Sequence, residues 1–297
     1  MSQQIYCFGE VLYDLLPEGT QAGGAPMNVA IHLKNFGIST GMISRVGDDD
    51  LGRNIKSFMQ ERGVNTDFVS TDFEHETGTV TVTFTKNNEP IYTIKQPAAW
   101  DFIEVTHDLV QAASNAQAII YGSLACRTER NFLALSVIIK NAKLRILDVN
   151  MRAPFYSMKQ IVIMMHGADI VKMNEDELEQ ICKWTIVYGD EQKTVGRKFL
   201  EKYHLKMLIV TKGAEGADVY EGDNKYSATT PNIEKVADTI GCGDSFLAAF
   251  IKKYLFEKIS IQKSLEFACA TGALVATYHG ATPKITEVEV KKLILNF

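Results

Sequence analysis

Short apolar runs alternate with helix-patterned stretches along nearly the whole chain, and this alternation limits the possible folds more than any other feature. Residues 5–8 read as a strand and 25–36 as a helix with Val29, Ala30, Leu33 and Phe36 on its apolar face. Residues 40–46 read as a strand, and 51–61 as a helix closed by Gly63. Further strands are expected at 118–121, 145–147, 170–173 and 207–210, with helices at 129–141, 157–165 and 175–182 among them. Such alternation implies β–α–β units. The expected class is α/β, a three-layer, doubly wound and mostly parallel sheet with helices on both faces.

One region breaks the rhythm. Residues 78–85 (GTVTVTFT) alternate β-formers, 86–90 give a turn and 91–95 resume the pattern, so a hairpin is expected. Residues 11–16 would supply a neighbouring strand. An antiparallel flap on an α/β core serves as a lid or an interface.

Composition excludes several classes. At 297 residues, 46% hydrophobic and 23% charged, the chain is neither disordered, fibrous nor a small disulfide scaffold. A net charge of −5 disfavours bulk attraction to nucleic acid or an anionic membrane. No apolar run approaches the ~18 residues that span a bilayer. Residues 1–4 lack the basic region of a secretory leader. Cys7, Cys126, Cys182, Cys242 and Cys269 are odd in number and form no C-x-x-C pair, so no disulfide framework or zinc site is expected and a cytoplasmic location fits. The six histidines form no metal-binding spacing.

The strongest chemical signal is Asp238-Thr239-Ile240-Gly241-Cys242-Gly243-Asp244, followed by an apolar helical run over 245–251. Two glycines around one small residue allow a tight turn that gathers backbone N–H groups at a helix start, which makes an anion site. Asp244 then stands beside the anion. That placement makes sense for a carboxylate taking a proton from a nucleophile that attacks the anion; on this motif alone, an ordinary helix start with an Asp favoured by the dipole explains it as well. No Gly-Lys pair occurs, so no Walker A loop exists, and G-x-G-x-x-G is absent because Phe246 replaces its third glycine.

A second glycine turn, Gly23-Gly24-Ala25-Pro26-Met27-Asn28, opens a helix. Asn28 is a poor helix former that could read vicinal hydroxyls, or act as a late cap. Asp14, just after the first strand, could accept from the same ligand or be a solvated loop charge.

These motifs together resemble the ribokinase (PfkB) family of sugar and nucleoside kinases. The resemblance is carried by GGAPMNVA (24–30 with Gly23), by Ser44-Arg45-Val46-Gly47-Asp48-Asp49-Asp50-Leu51-Gly52, by Asn174-Glu175-Asp176-Glu177, by Thr211-Lys212-Gly213-Ala214-Glu215-Gly216 and by DTIGCGDSF (238–246), in that order. It runs from about Ile5 to Pro283. Ala98-Ala99-Trp100-Asp101, Gly122-Ser123-Leu124-Ala125 with Arg127, and Asp148-Val149-Asn150-Met151-Arg152 resemble bacterial fructokinases; the last is also similar to 2-keto-3-deoxygluconate kinases.

The resemblance implies a ribokinase-like core, residues 1–10, 17–76 and 98–297, with a small β lid at 11–16 and 77–97. It implies ATP-dependent phosphorylation of a sugar hydroxyl, fructose first among acceptors, with Asp244 as base and Gly241, Cys242 and Gly243 as anion hole. Cys242 stands where Ala is usual, and a helix start lowers a thiol pKa, which raises the question of a reactive cysteine. Asp14, Gly24 and Asn28 match sugar-contacting positions, and Gly23 serves turn geometry. Arg152 matches a substrate-side arginine or is a structural ion pair. Trp100 covers the sugar or packs in the core. Asn174 and Glu177 match an element that organises Mg²⁺ and phosphate, in part through water, or form a helix-capping pair. Thr211, Lys212, Gly213 and Gly216 match the nucleotide-binding strand and turn, with Lys212 either reaching phosphate or solvent-exposed. Cys269 stands near the adenine where relatives often carry Asn. K⁺ beside the anion hole would use the carbonyls of Asp238 and Ile240. A homodimer through the lid is implied, with no nucleic-acid or membrane partner.

Overall fold

The computed structural model describes residues 4–16, 19–84, 90–185 and 192–295. Its strands are β1 (Gln4–Phe8), β2 (Leu12–Leu16), β3 (Gly19–Gly23), β4 (Ser39–Gly47), β5 (Asn65–Asp72), β6 (Gly78–Phe84), β7 (Pro90–Ile94), β8 (Ala118–Gly122), β9 (Arg145–Asp148), β10 (Ile170–Asn174), β11 (Met207–Thr211), β12 (Ala217–Glu221) and β13 (Asn224–Ala228). Its helices are α1 (Ala25–Asn35), α2 (Asp50–Glu61), α3 (His107–Asn115), α4 (Glu129–Ile139), α5 (Met158–His166), α6 (Glu175–Thr185), α7 (Gln192–Tyr203), α8 (Cys242–Ile251), α9 (Ile261–Val275) and α10 (Glu287–Leu295).

A sheet runs in the order β13-β12-β11-β10-β9-β8-β1-β4-β5. All its pairings are parallel except β11 with β12 and β12 with β13. The expected mostly parallel sheet is therefore present, finished at one edge by an antiparallel hairpin. Side chains of successive strand residues point to opposite faces, and the core divides accordingly. Ile5, Cys7, Ile120, Ile146 and Ile209 pack with Met27, Ile31, Phe250 and Leu265 of α1, α8 and α9. Tyr6, Phe8, Ile119, Leu147 and Leu208 pack with Leu109, Leu135, Ile161 and Phe199 of α3, α4, α5 and α7. Helices thus cover both faces, giving the three layers.

A second sheet has the order β3-β2-β6-β7. The expected hairpin is β6 and β7, and the expected strand over 11–16 is β2, paired parallel to β6. Most of the hairpin turn lies outside the described residues. One boundary is corrected: within 17–76, assigned to the core, residues 19–23 form β3 and pair antiparallel to β2. Gly-Thr-Gln-Ala-Gly carries almost no β-former signal; its partner strand, not its own propensity, holds it extended.

Loops leaving the carboxyl ends of β1, β9, β10 and β11 converge on one side of the large sheet. That is where ligands bind in open α/β sheets. No described helix is long and apolar enough to cross a membrane.

Candidate active site

Two adjoining cavities lie along these strand ends. One, of about 660 Å³, is lined by Thr211, Gly213, Gly216, Cys242, Cys269 and apolar neighbours such as Val236 and Phe246. The other, of about 780 Å³, is lined by Glu10, Asp14, Gly24, Asn28, Asp148, Arg152, Lys172, Asn174, Glu177, Ile240, Gly241 and Asp244. Thr211, Thr239 and Gly243 line both, so the cavities meet at the start of α8.

The turn before α8 needs its glycine. Gly241 has φ +78°, and a Cβ there would meet the Ala281 carbonyl oxygen at 2.2 Å. α8 begins at once, and the first N–H groups of a helix have no intrahelical acceptor. Asp244 stands in that first turn. Asn28 Nδ2, from α1, donates to Asp244 Oδ2 at 2.8 Å. Burial and the like charge of Asp148 push the Asp244 carboxyl up to about 6, against the opposing pull of Asn28, Lys172 and Arg152. A carboxylate poised there can take a proton near neutral pH.

Lys172 and Asp148 were not singled out by sequence. Lys172 Nζ lies 2.9 and 2.8 Å from the two Asp148 oxygens, and both side chains are buried. A Cβ built on Gly243 would lie 3.4 Å from Lys172 Nζ, so the ammonium sits against the shared wall of the cavities. Burial works against its charge, but Asp148, with help from Asp244 and Glu177, outweighs that and raises its pKa. The available signal was a lysine among the apolar residues of β10, where an unpaired charge would be costly.

On the other side, Gly24 caps α1 with φ +119°, and a Cβ there would strike the Glu10 carbonyl oxygen at 2.4 Å. Gly23 does not line either cavity. A Cβ on it would lie 2.7 Å from Asp14 Oδ2, so this glycine makes room for that carboxylate. Burial raises the Asp14 pKa and Arg152 opposes it. Asn28 Oδ1 is buried without a hydrogen-bond partner, as is Glu10 Oε2. Burial is also the main reason the Glu10 carboxyl is pushed up to about 7. Arg152 is exposed, donates to the Met151 carbonyl at 3.2 Å, and faces the carboxylates of Glu10, Asp14 and Asp244.

Asn174 and Glu177 form the capping pair. Asn174 Oδ1 accepts from the Glu177 amide at 2.8 Å, and Glu177 Oε2 accepts from the Asn174 amide at 2.9 Å. Glu177 Oε1 accepts from the Met151 amide at 2.6 Å, tying the start of α6 to the turn that carries Arg152. Both oxygens are engaged, and the cavity offers hard carboxylate oxygens without a group of three or more metal-ligating side chains among the described residues. This fits a hydrated Mg²⁺ carried on phosphates rather than an ion caged by protein.

The assignments of Trp100 and Lys212 need correction, and the question of a reactive Cys242 is answered. Trp100 is completely buried beside Ala98 and Leu124, with the Arg127 guanidinium 3.9 Å from its ring, and lines neither cavity. Lys212 neither reaches the cavities nor stands free: its Nζ pairs with Asp218 at 3.4 Å. The Cys242 thiol is pushed up to about 11, by burial first and then by Asp238 and Asp244, against a smaller opposing pull from its own backbone amide. The Asp238 side chain, as distinct from its carbonyl, accepts from the Ile240 amide at 2.9 Å and the Gly280 amide at 3.2 Å, folding the turn onto the 280 loop.

On the wall of the apolar cavity, Gly216 has φ +112° and approaches the Ala228 carbonyl too closely for any Cβ. Cys269 is buried, its Sγ 3.8 Å from that same carbonyl.

The family model for pfkB family carbohydrate kinases matches residues 4–287. Fructokinase-1 of Oryza sativa subsp. japonica is 28% identical over 99% of this chain and 98% of its own. Fructokinase-1 of Zea mays is 28% identical over 98% and 97%. Among solved structures, fructokinase with bound ATP from Xylella fastidiosa superposes with a TM-score of 0.86 at 23% identity, covering 100% of this chain and 99% of that one. Fructokinase from Vibrio cholerae O395 with fructose, ADP and calcium ion bound gives 0.84 at 22%, covering 99% of each.

Proposed function

Because the chain belongs to the pfkB family of carbohydrate kinases, we propose that it is a fructokinase that moves the γ-phosphate of ATP to the 6-hydroxyl of D-fructose. The observation that carries this reading is the position of Asp244, in the first turn of α8 where the two cavities meet and held by Asn28. The full-length similarity to named fructokinases supports fructose as the acceptor.

ATP occupies the apolar cavity, its base near Cys269 and its phosphates running past Thr211, Gly213 and Gly216 to Gly243. The sugar occupies the polar cavity against Asp14, Gly24, Asn28 and Arg152. Asp244 orients the acceptor hydroxyl and takes its proton as the new O–P bond forms and the bond to ADP breaks. Backbone N–H groups from Gly241 to Gly243, with the Lys172 ammonium alongside, stabilise charge on the transferring oxygens. Asn174 and Glu177 would hold the water shell of a Mg²⁺ brought in on ATP, which would neutralise phosphate charge. The carbonyls of Asp238 and Ile240 would hold a K⁺ beside the anion hole. The small sheet acts as the lid that excludes water, and a homodimer forms through it. Five free cysteines suit the cytoplasm.

A coupled assay of ADP release over a sugar panel tests the acceptor. Fructose should give the highest kcat/KM. Faster turnover of 2-keto-3-deoxygluconate, ribose or a nucleoside would reject fructose and keep the kinase.

A further inference from the structure

Glu10 has no role in the reading above, yet it lies where the sugar would. It follows β1, is 3% exposed and lines the polar cavity. The nearby backbone amides, its own first and then that of Ala25 at the start of α1, favour its charged form against burial. Oε2 is buried and has no hydrogen-bond partner among the described residues. A buried polar atom without a partner is expensive, and natural structures rarely keep one without a reason.

A second orphan acceptor lines the same cavity: Asn28 Oδ1, on the first turns of the same helix, whose amide nitrogen is spent on Asp244. The backbone beside Glu10 is held by Gly24, where any Cβ would strike the Glu10 carbonyl, so the placement is built in rather than incidental. Two unpaired acceptors in one cavity call for a ligand bearing several donors, and a polyol supplies O–H groups at the required density.

We propose that Glu10 is a sugar-binding residue, its free carboxylate oxygen accepting a hydrogen bond from an acceptor-sugar hydroxyl other than the one phosphorylated. This rests on the sugar-kinase reading. It assigns Glu10 the task of sorting acceptors by the presence of one hydroxyl. A site that hydrogen-bonds a hydroxyl rejects the analogue lacking it far more strongly than an apolar pocket rejects a methylene.

The test uses Glu10→Gln, which keeps the size of the side chain but replaces one carboxylate oxygen with an NH₂ donor, with Glu10→Asp as a second variant that withdraws the oxygen by one methylene. Steady-state kinetics are measured for wild type and both variants with fructose and its 1-, 3- and 4-deoxy forms, and ATP affinity is measured separately. The expected result is a KM for fructose raised about tenfold to a hundredfold with the loss falling mainly on KM, and ATP affinity within about twofold. One deoxy sugar should lose equally with wild type and be indifferent to the substitution. Equal KM values for wild type and Glu10→Gln would overturn the proposal, as would losses that add for every deoxy sugar, because a residue that does not touch the sugar behaves so. If wild type prefers another acceptor, the fructose reading fails alone, and the same cycle with deoxy forms of that acceptor decides on Glu10. Absence of turnover with every acceptor overturns both.

Discussion

Asn28 Nδ2 donates to Asp244 Oδ2 at 2.8 Å, joining the first turn of the N-terminal helix to the first turn of a helix 216 positions later. The bond brings the two glycine turns of the sequence into one site, and it acts on the charge of Asp244. Hydrogen bonding to the charged form favours that form, so Asn28 opposes the burial that raises the Asp244 pKa.

The pH dependence follows from that balance. Asp244 works as the carboxylate, and its pKa is raised to about 6, so activity should rise with pH through about 6 and level off above it. Asn28→Ala removes a group that lowers the pKa, so the acid limb of kcat/KM should move to higher pH. A pH–rate profile of both proteins checks this; an unmoved limb would detach Asn28 from the base.

Lys172 should matter twice. Lys172→Met leaves Asp148 buried without its partner, and breaking a buried pair typically costs about 3–5 kcal/mol of stability. The double variant Lys172→Met/Asp148→Leu should recover most of that in a thermal melt. Turnover should stay down by about 10² in the double variant, because the ammonium against Gly243 is still gone. Recovery of turnover along with stability would make the pair structural only.

The Cys242 thiol should be slow to alkylate. With its pKa pushed up to about 11, only a very small fraction is thiolate at pH 7.5. Peptide mass spectrometry after timed iodoacetamide exposure should show Cys242 labelled more slowly than a free cysteine, and faster labelling would contradict the electrostatics described for the turn.

The layers of the large sheet were legible because β1, β8, β9, β10 and β11 are short, mainly apolar runs, the signature of strands buried on both faces. β3, β5, β12 and β13 were not read; in β12, Ala-Asp-Val-Tyr-Glu, the buried Asp218 interrupts the apolar run. Gly-Thr-Gln-Ala-Gly, Asn-Thr-Asp-Phe-Val-Ser-Thr-Asp and Asn-Lys-Tyr-Ser-Ala lie at sheet edges, where pairing with a neighbour substitutes for apolar content. In the site, Gly241, Gly243, Gly24 and Asp244 were readable because tight turns and helix starts have local signatures. Trp100 and Lys212 went the other way. Their roles are set by Arg127 and Asp218, partners supplied by the tertiary fold, and spacing along the chain carries no trace of them. Lys172 and Glu10 were missed for the same reason: each is a charged residue whose buried surroundings are assembled from distant segments.

The most direct test is the turnover of Asp244→Asn measured together with its binding of ATP and fructose. Asparagine keeps the size of the side chain and removes its capacity to take a proton. The account predicts both ligands bound within a few-fold of wild type and kcat lowered by about 10²–10⁴ or more. Near-normal kcat in that variant would contradict the assignment of Asp244 as the base and with it the mechanism.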